Sequence, residues 1–164
     1  MTLSVAMPVP GHALGNEQRA LAVALQRMTS AVWHDPVGIG IDVVDVNDFE
    51  KRSIEKFPYF YSRCFSASEI TYCRAQARPA QHFAVRFAAK EAAVKALASH
   101  TKLAYWQIEV VRQLNGQPTL ALWTFDRLAP LTELCGLDMK VSLSHADQWA
   151  VALVAAFTRD HARV

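Results

Sequence analysis

The chain has 164 residues, 52% hydrophobic and 20% charged, with 17 lysines and arginines against 15 aspartates and glutamates and a net charge of +2. That length holds one domain with a real core, and the balance excludes a disordered chain. A net charge this small gives no support for nucleic acid as a partner, because DNA and RNA binders present a clustered basic face and a pI above about 9.

Residues 1–15 contain Pro8, Pro10, Gly11 and Gly15 and read as a lead-in without a secretory signal. Asn16 then caps an expected amphipathic helix with Leu21, Leu25, Met28 and Val32 at helical spacing, ended by His34-Asp35-Pro36. Residues 1–35 are taken as an N-terminal extension that covers part of a core or a subunit boundary, and 36–164 as the main domain. No apolar run approaches the roughly 20 residues of a membrane span, so no membrane partner is expected. Cys64, Cys73 and Cys135 lack metal-ligand spacing and read as plain thiols of a reducing cytoplasm.

Residues 37–46 (VGIGIDVVDV) predict a buried strand. Gly38 and Gly40 weaken it unless another backbone or a ligand comes close. Asp42 in its middle is costly unless paired or metal-bound, and a satisfied structural carboxylate competes with a metal ligand. A polar helix is expected over 47–56, then an aromatic patch at 57–61 broken by Pro58. Ser66 with Glu69 makes a capping box for a helix reaching about Gln76.

A long helix follows from about Gln81. Its stretch 86–97 (RFAAKEAAVKAL) is built of strong helix formers. Glu91 and Lys95 stand four apart on one face. Two readings stand side by side: a solvated surface pair, or a site in which Glu91 ligates a divalent cation and Arg86, Lys90 and Lys95 neutralise phosphate. The last third reads as a strand over 106–113, a hairpin turn at Asn115-Gly116, a return over 118–123, a short helix over 126–135, and strands over 139–144 and 150–157. His145 lies in the turn between the last two.

Three motifs then occur in order: Gly38-Ile-Gly-Ile-Asp42, Arg86-Phe-Ala-Ala-Lys-Glu-Ala-Ala-Val-Lys95 and Val141-Ser-Leu-Ser-His145. Over 37–157 the chain resembles the 4′-phosphopantetheinyl transferases of the short holo-acyl-carrier-protein synthase type. The resemblance implies an α+β fold, a small antiparallel sheet packed against a central helix, and a cytoplasmic homotrimer with sites at its subunit interfaces. It also implies an enzyme that moves the phosphopantetheine arm of coenzyme A to a serine of an acyl or peptidyl carrier protein, with Mg²⁺, releasing adenosine 3′,5′-bisphosphate. Asp42 and Glu91 match the metal ligands, and Glu91 and Lys95 the catalytic residues. Arg86, Lys90, Lys95, His145 and, more weakly, Ser144 match the phosphate contacts, with Asn115, Gly116 and Pro118 near the adenine.

Three departures stand out. Asp48 replaces the arginine with which such enzymes usually meet an acidic carrier. Ser99-His-Thr101 replaces a glycine-rich turn. The extension precedes the shared region. They keep one alternative open: a family member that binds coenzyme A or a carrier protein without efficient turnover.

Overall fold

The computed structural model describes residues 36–126, 129–131 and 136–158. The expected helix carrying Leu21, Leu25, Met28 and Val32, the thiol of Cys135 and most of the helix expected over 126–135 lie outside the described residues.

The elements run β1 (Gly38–Asp45), α1 (Val46–Lys51), α2 (Pro58–Cys64), α3 (Ala67–Arg74), α4 (Pro79–Leu97), a 3-10 turn (Tyr105–Gln107), β2 (Ile108–Arg112), β3 (Pro118–Leu122), β4 (Leu137–His145) and β5 (Trp149–Thr158). Strands β1, β5 and β4 form one antiparallel sheet in that order, and β2 with β3 forms a hairpin. The expected α+β arrangement is present, with α4 lying along the inner face of the sheet.

Small residues let α4 lie that close. A Cβ on Gly38 would overlap the carbonyl oxygen of Ala96, and one on Gly40 the carbonyl oxygen of Ala92. The close approach that the two glycines predict is therefore made by another backbone, the alanine side of α4. Ala88, Ala89, Ala92, Ala93 and Ala96 are all buried there with Ala152, Val154 and Ala156 of β5. This seam fixes β1 against α4. Because successive side chains alternate across a strand, Asp42 falls on the α4 side with the glycines. Ile39, Ile41 and Val43 fall on the outer face, 54–60% exposed.

Several elements differ from expectation: the polar helix expected over 47–56 stops at Lys51, and the strand expected to be buried turns Ile39, Ile41 and Val43 outward. The aromatic patch does not merely break at Pro58: α2 starts there, with proline at its first helical position, where the missing N–H costs nothing. Tyr61 and Phe65 then pack edge-on against Phe83 of α4. The expected strand over 106–113 begins only at Ile108. Gln107 closes a turn before it, accepting from Ala104 N–H at 3.0 Å and donating to the Trp123 carbonyl at 3.1 Å. The Ser66–Glu69 capping box is present as expected.

Candidate active site

Glu91 and Lys95 lie one turn apart on α4, and the seam brings Asp42 beside them. Lys95 Nζ donates to Asp42 Oδ1 at 2.8 Å and to the carbonyl of Ile41 at 3.0 Å. So Lys95 pairs across elements with the strand carboxylate. Its hydrogen bond to Asp42 raises its pKa and keeps it cationic. The pair is open on one side: the Lys95 side chain is 50% exposed and that of Asp42 17%.

Asp42 and Glu91 line one hollow of about 270 Å³, with Asp45 and Asp48 on its acidic side, Arg52 at the edge and Phe87 among its aromatics. Asp45 is engaged in capping α1, where it accepts from Asn47 N–H at 2.9 Å. Glu91 Oε1 accepts a hydrogen bond from the Tyr105 hydroxyl. Burial first, then that bond and the Glu91 charge, push the Tyr105 phenol up to about 12, so it stays a donor at neutral pH. A hollow of about 500 Å³ lies elsewhere, over Ile54, Tyr61 and Phe83. It is larger and holds charged groups of its own, Glu50, Glu55, Arg74 and Arg78, but neither Asp42 nor Glu91.

Among the described residues no group of three or more His, Cys, Asp and Glu side chains converges, so there is no closed site for a transition metal. Two carboxylates on an open hollow suit Mg²⁺, which keeps several waters and takes substrate phosphates as its remaining ligands.

A second, basic cluster forms where the N-terminal half of α4 meets β4 and β2. Arg86 is buried, with its guanidinium 4.1 Å over the Tyr72 ring. Its Nη1 reaches only the His82 carbonyl, at 3.4 Å, and its Nε has no partner. A buried N–H without an acceptor is costly, and a phosphate oxygen is one acceptor that would satisfy it. His145, the last residue of β4, faces α4 with its ring 5.4 Å from that of His82. Asp147 in the next turn is held to Arg78 at 3.0 Å, which fastens the β4–β5 turn to the start of α4. Burial, with the charges of His145, Arg86 and Arg112, lowers the His82 pKa. Arg112 in turn donates to the Gly116 carbonyl at 3.1 Å.

The fold thus gathers Asp42, Glu91 and Lys95 at one point and Arg86 and His145 at another. Asn115, Gly116 and Pro118 sit at the hairpin, tied to the basic cluster through Arg112, with Gly116 at a φ of 85° in the turn. Ser144 and His145, adjacent on a strand, point to opposite faces, and Ser144 belongs to the outer one.

Lys90 departs from expectation and is corrected here. It is 0% exposed, with Nζ 2.8 Å from Glu69 Oε2 and donating also to the carbonyls of Tyr105, at 3.2 Å, and Ile108. An ammonium has three N–H groups, and all are spent inside the core. It supports the site from below and has no face toward a ligand. His82, Arg112 and Tyr105 belong to the neighbourhood without having been foreseen. His82 was within reach, because it stands one helical turn before Arg86; the other two come from distant segments.

The model of the 4′-phosphopantetheinyl transferase superfamily matches residues 38–154. The holo-[acyl-carrier-protein] synthase of Geobacter sulfurreducens is 40% identical over 119 residues, 71% of this chain and 94% of that protein. That of Moorella thermoacetica is 39% identical over 116 residues, 70% of this chain and 88% of that protein. Among solved structures, the synthase of Bacillus anthracis in complex with CoA (3′,5′-ADP) matches with a TM-score of 0.59 and 29% identity, over 75% of this chain and 97% of that one. The Helicobacter pylori synthase in complex with coenzyme A matches with 0.58 and 28%, over 72% and 98%. The matched span runs from Gly38 to the middle of β5 and so takes in the glycine–alanine seam, the open Asp42–Lys95 pair and the buried Arg86: this chain belongs to the 4′-phosphopantetheinyl transferase superfamily.

Proposed function

We propose that this chain is a holo-acyl-carrier-protein synthase, transferring the 4′-phosphopantetheine arm of coenzyme A to a serine of an acyl or peptidyl carrier protein. The observation that carries the reading is the placing of Asp42 and Glu91 on one open hollow, with Lys95 paired to Asp42, in a chain about 40% identical to synthases of that name. In the reaction the carrier serine oxygen bonds to the phosphorus bearing the pantetheine arm. The pyrophosphate bridge breaks, and adenosine 3′,5′-bisphosphate leaves. Asp42 and Glu91 would hold Mg²⁺, which when bound neutralises charge on the pyrophosphate oxygens. Lys95 is half open beside them and offers its charge to the leaving phosphate. The serine proton leaves as the new bond forms, to Glu91 or to water. Arg86 and His145, with His82 and Arg112 beside them, take a phosphate of the nucleotide. Asn115, Gly116 and Pro118 lie toward its base, while Ser144, on the outer face of β4, is left out of these contacts.

The assembly we propose is a cytoplasmic homotrimer with sites between subunits. Ile39, Ile41, Val43 and Leu153 leave an apolar stripe on the outer sheet face, 43–60% exposed, which a second copy would cover. Sedimentation of the purified chain as a monomer would remove that part of the proposal. Among the described residues no helix is long and apolar enough to cross a membrane.

The test is a carrier-modification assay read by mass. Wild type should add the arm in the presence of Mg²⁺ and stop reversibly with chelator. Asp42→Asn and Glu91→Gln should remain folded and transfer nothing. Transfer by both variants in chelator would overturn the metal and catalytic assignments, and a carrier that stays unmodified with wild type would leave coenzyme A binding without turnover.

A further inference from the structure

We propose that Tyr105 is a positioning residue for Glu91, its hydroxyl fixing which way the carboxylate faces across the hollow from Asp42; this rests on the reading of Glu91 as a metal ligand. A glutamate on an open helix face has three rotatable bonds and no inherent preference for one rotamer. Four residues away Lys95 offers it a partner, but Lys95 is taken by Asp42. The hydrogen bond that holds Glu91 comes from Tyr105.

Tyr105 can do this because its own place is fixed at both ends. Lys90 holds its backbone by donating to the carbonyls of Tyr105 and Ile108. Lys90 is itself held by Glu69, whose other oxygen accepts from Val110 N–H at 3.0 Å. Gln107 closes the turn from the other side. The ring packs against Phe87 at 5.3 Å. So two consecutive residues of α4 grip one tyrosine: Lys90 takes the main chain and Glu91 the hydroxyl. The wholly buried ion pair is thereby coupled to the orientation of a carboxylate in the hollow. Groups that orient a metal-binding carboxylate typically change metal affinity by about 10–100-fold when removed.

The test compares Tyr105→Phe with wild type, using Mn²⁺ as the probe ion with coenzyme A present and following free Mn²⁺ by electron paramagnetic resonance well below the melting temperature. Tyr105→Phe keeps the ring and the turn, so melting should hold, while the Mn²⁺ dissociation constant should rise about tenfold. Glu91→Gln should lose Mn²⁺ altogether, which tests the underlying reading. Wild-type Mn²⁺ affinity in Tyr105→Phe, with Glu91→Gln deficient, overturns the role of Tyr105 and leaves the metal site standing. A wild type that takes up no Mn²⁺ overturns both.

Discussion

Helix α4 carries two lysine–carboxylate pairs with the same 2.8 Å separation and opposite surroundings. Lys90 and Glu69 are 0% and 1% exposed, while Lys95 and Asp42 are 50% and 17% exposed. Burial pulls the Lys90 ammonium pKa down and Glu69 works against it, whereas the Asp42 bond raises that of Lys95. Lys90 has spent every N–H on Glu69 and two carbonyls. It can give nothing to a ligand without leaving an uncompensated charge in the core. The Lys95 pair stands in water, where such pairs are weak, so it can re-form around a phosphate at little loss. Lys95 keeps a face toward solvent and Lys90 does not, so the enclosed pair holds the frame.

Breaking each pair in turn should separate frame from chemistry. Lys90→Met strands the Glu69 carboxylate and should cost about 3–5 kcal/mol in denaturant unfolding. Adding Glu69→Leu should recover part of it, since an apolar pair leaves no buried charge. Lys95→Met should melt like wild type yet lower turnover about 10²–10³-fold, the usual loss of a group that meets developing charge. The contrast collapses if Lys90→Met is stable or if Lys95→Met turns over normally.

The two lysines read alike in the sequence, and the structure separates them by what surrounds each. Asp42 was legible because a carboxylate inside a β-branched strand demands a partner, and Gly38 and Gly40 because a strand tolerates them only against something close. Those two signals share a cause, the α4 seam. The Ser66–Glu69 box was legible too, being local chemistry. Lys90 was misread as a phosphate contact because the groups that enclose it come from elsewhere: Glu69 lies 21 residues before it, and the carbonyls of Tyr105 and Ile108 lie 15 and 18 after it. Nothing in the helix distinguishes it from Lys95. The turn over 105–107 is hidden in the sequence because the pattern of 106–113 reads as strand and carries no sign of what Gln107 bonds to. Ser144 joined His145 by adjacency, and strand alternation separates them.

Between the two extremes lies the half-buried His82, a group whose ordinary pKa already lies close to neutrality. The unfolded histidine titrates near 6.5 and the folded one lower. Between those two values the unfolded chain holds more protons, so the contribution of His82 to stability falls as pH falls through that window and is level below it. A phosphate seated at Arg86 and His145 reverses the local field and should raise the His82 pKa, so coenzyme A binding should take up a proton. Calorimetry at pH 7 in buffers of different ionisation enthalpy measures that uptake. It should shrink in His82→Asn, with affinity lowered severalfold. Equal uptake in both proteins would mean that the phosphate lies elsewhere.

The smallest expected effect concerns a charge that is wholly at the surface. Asp48 is exposed in the first turn of α1 and lines the same hollow as Asp42 and Glu91. An acid there suits the helix N-terminus, and as capping chemistry it would say nothing about partners. Its position beside the hollow gives it a second consequence. A carrier that brings its serine to Glu91 must pass close to Asp48, and like charges across a docking surface slow encounter more than they weaken the final contact. The charge therefore favours a dedicated carrier that is less acidic at this contact, and transfer to a strongly acidic general carrier should be slow. Asp48→Arg should speed that transfer severalfold, through kcat/KM with kcat little changed. The gain should fade as salt is raised toward 1 M, where the screening length falls to about 3 Å. Lys95→Met should lose kcat at every salt concentration, because its charge acts after docking is complete. An Asp48→Arg protein with wild-type kcat/KM at low salt would return Asp48 to helix capping alone.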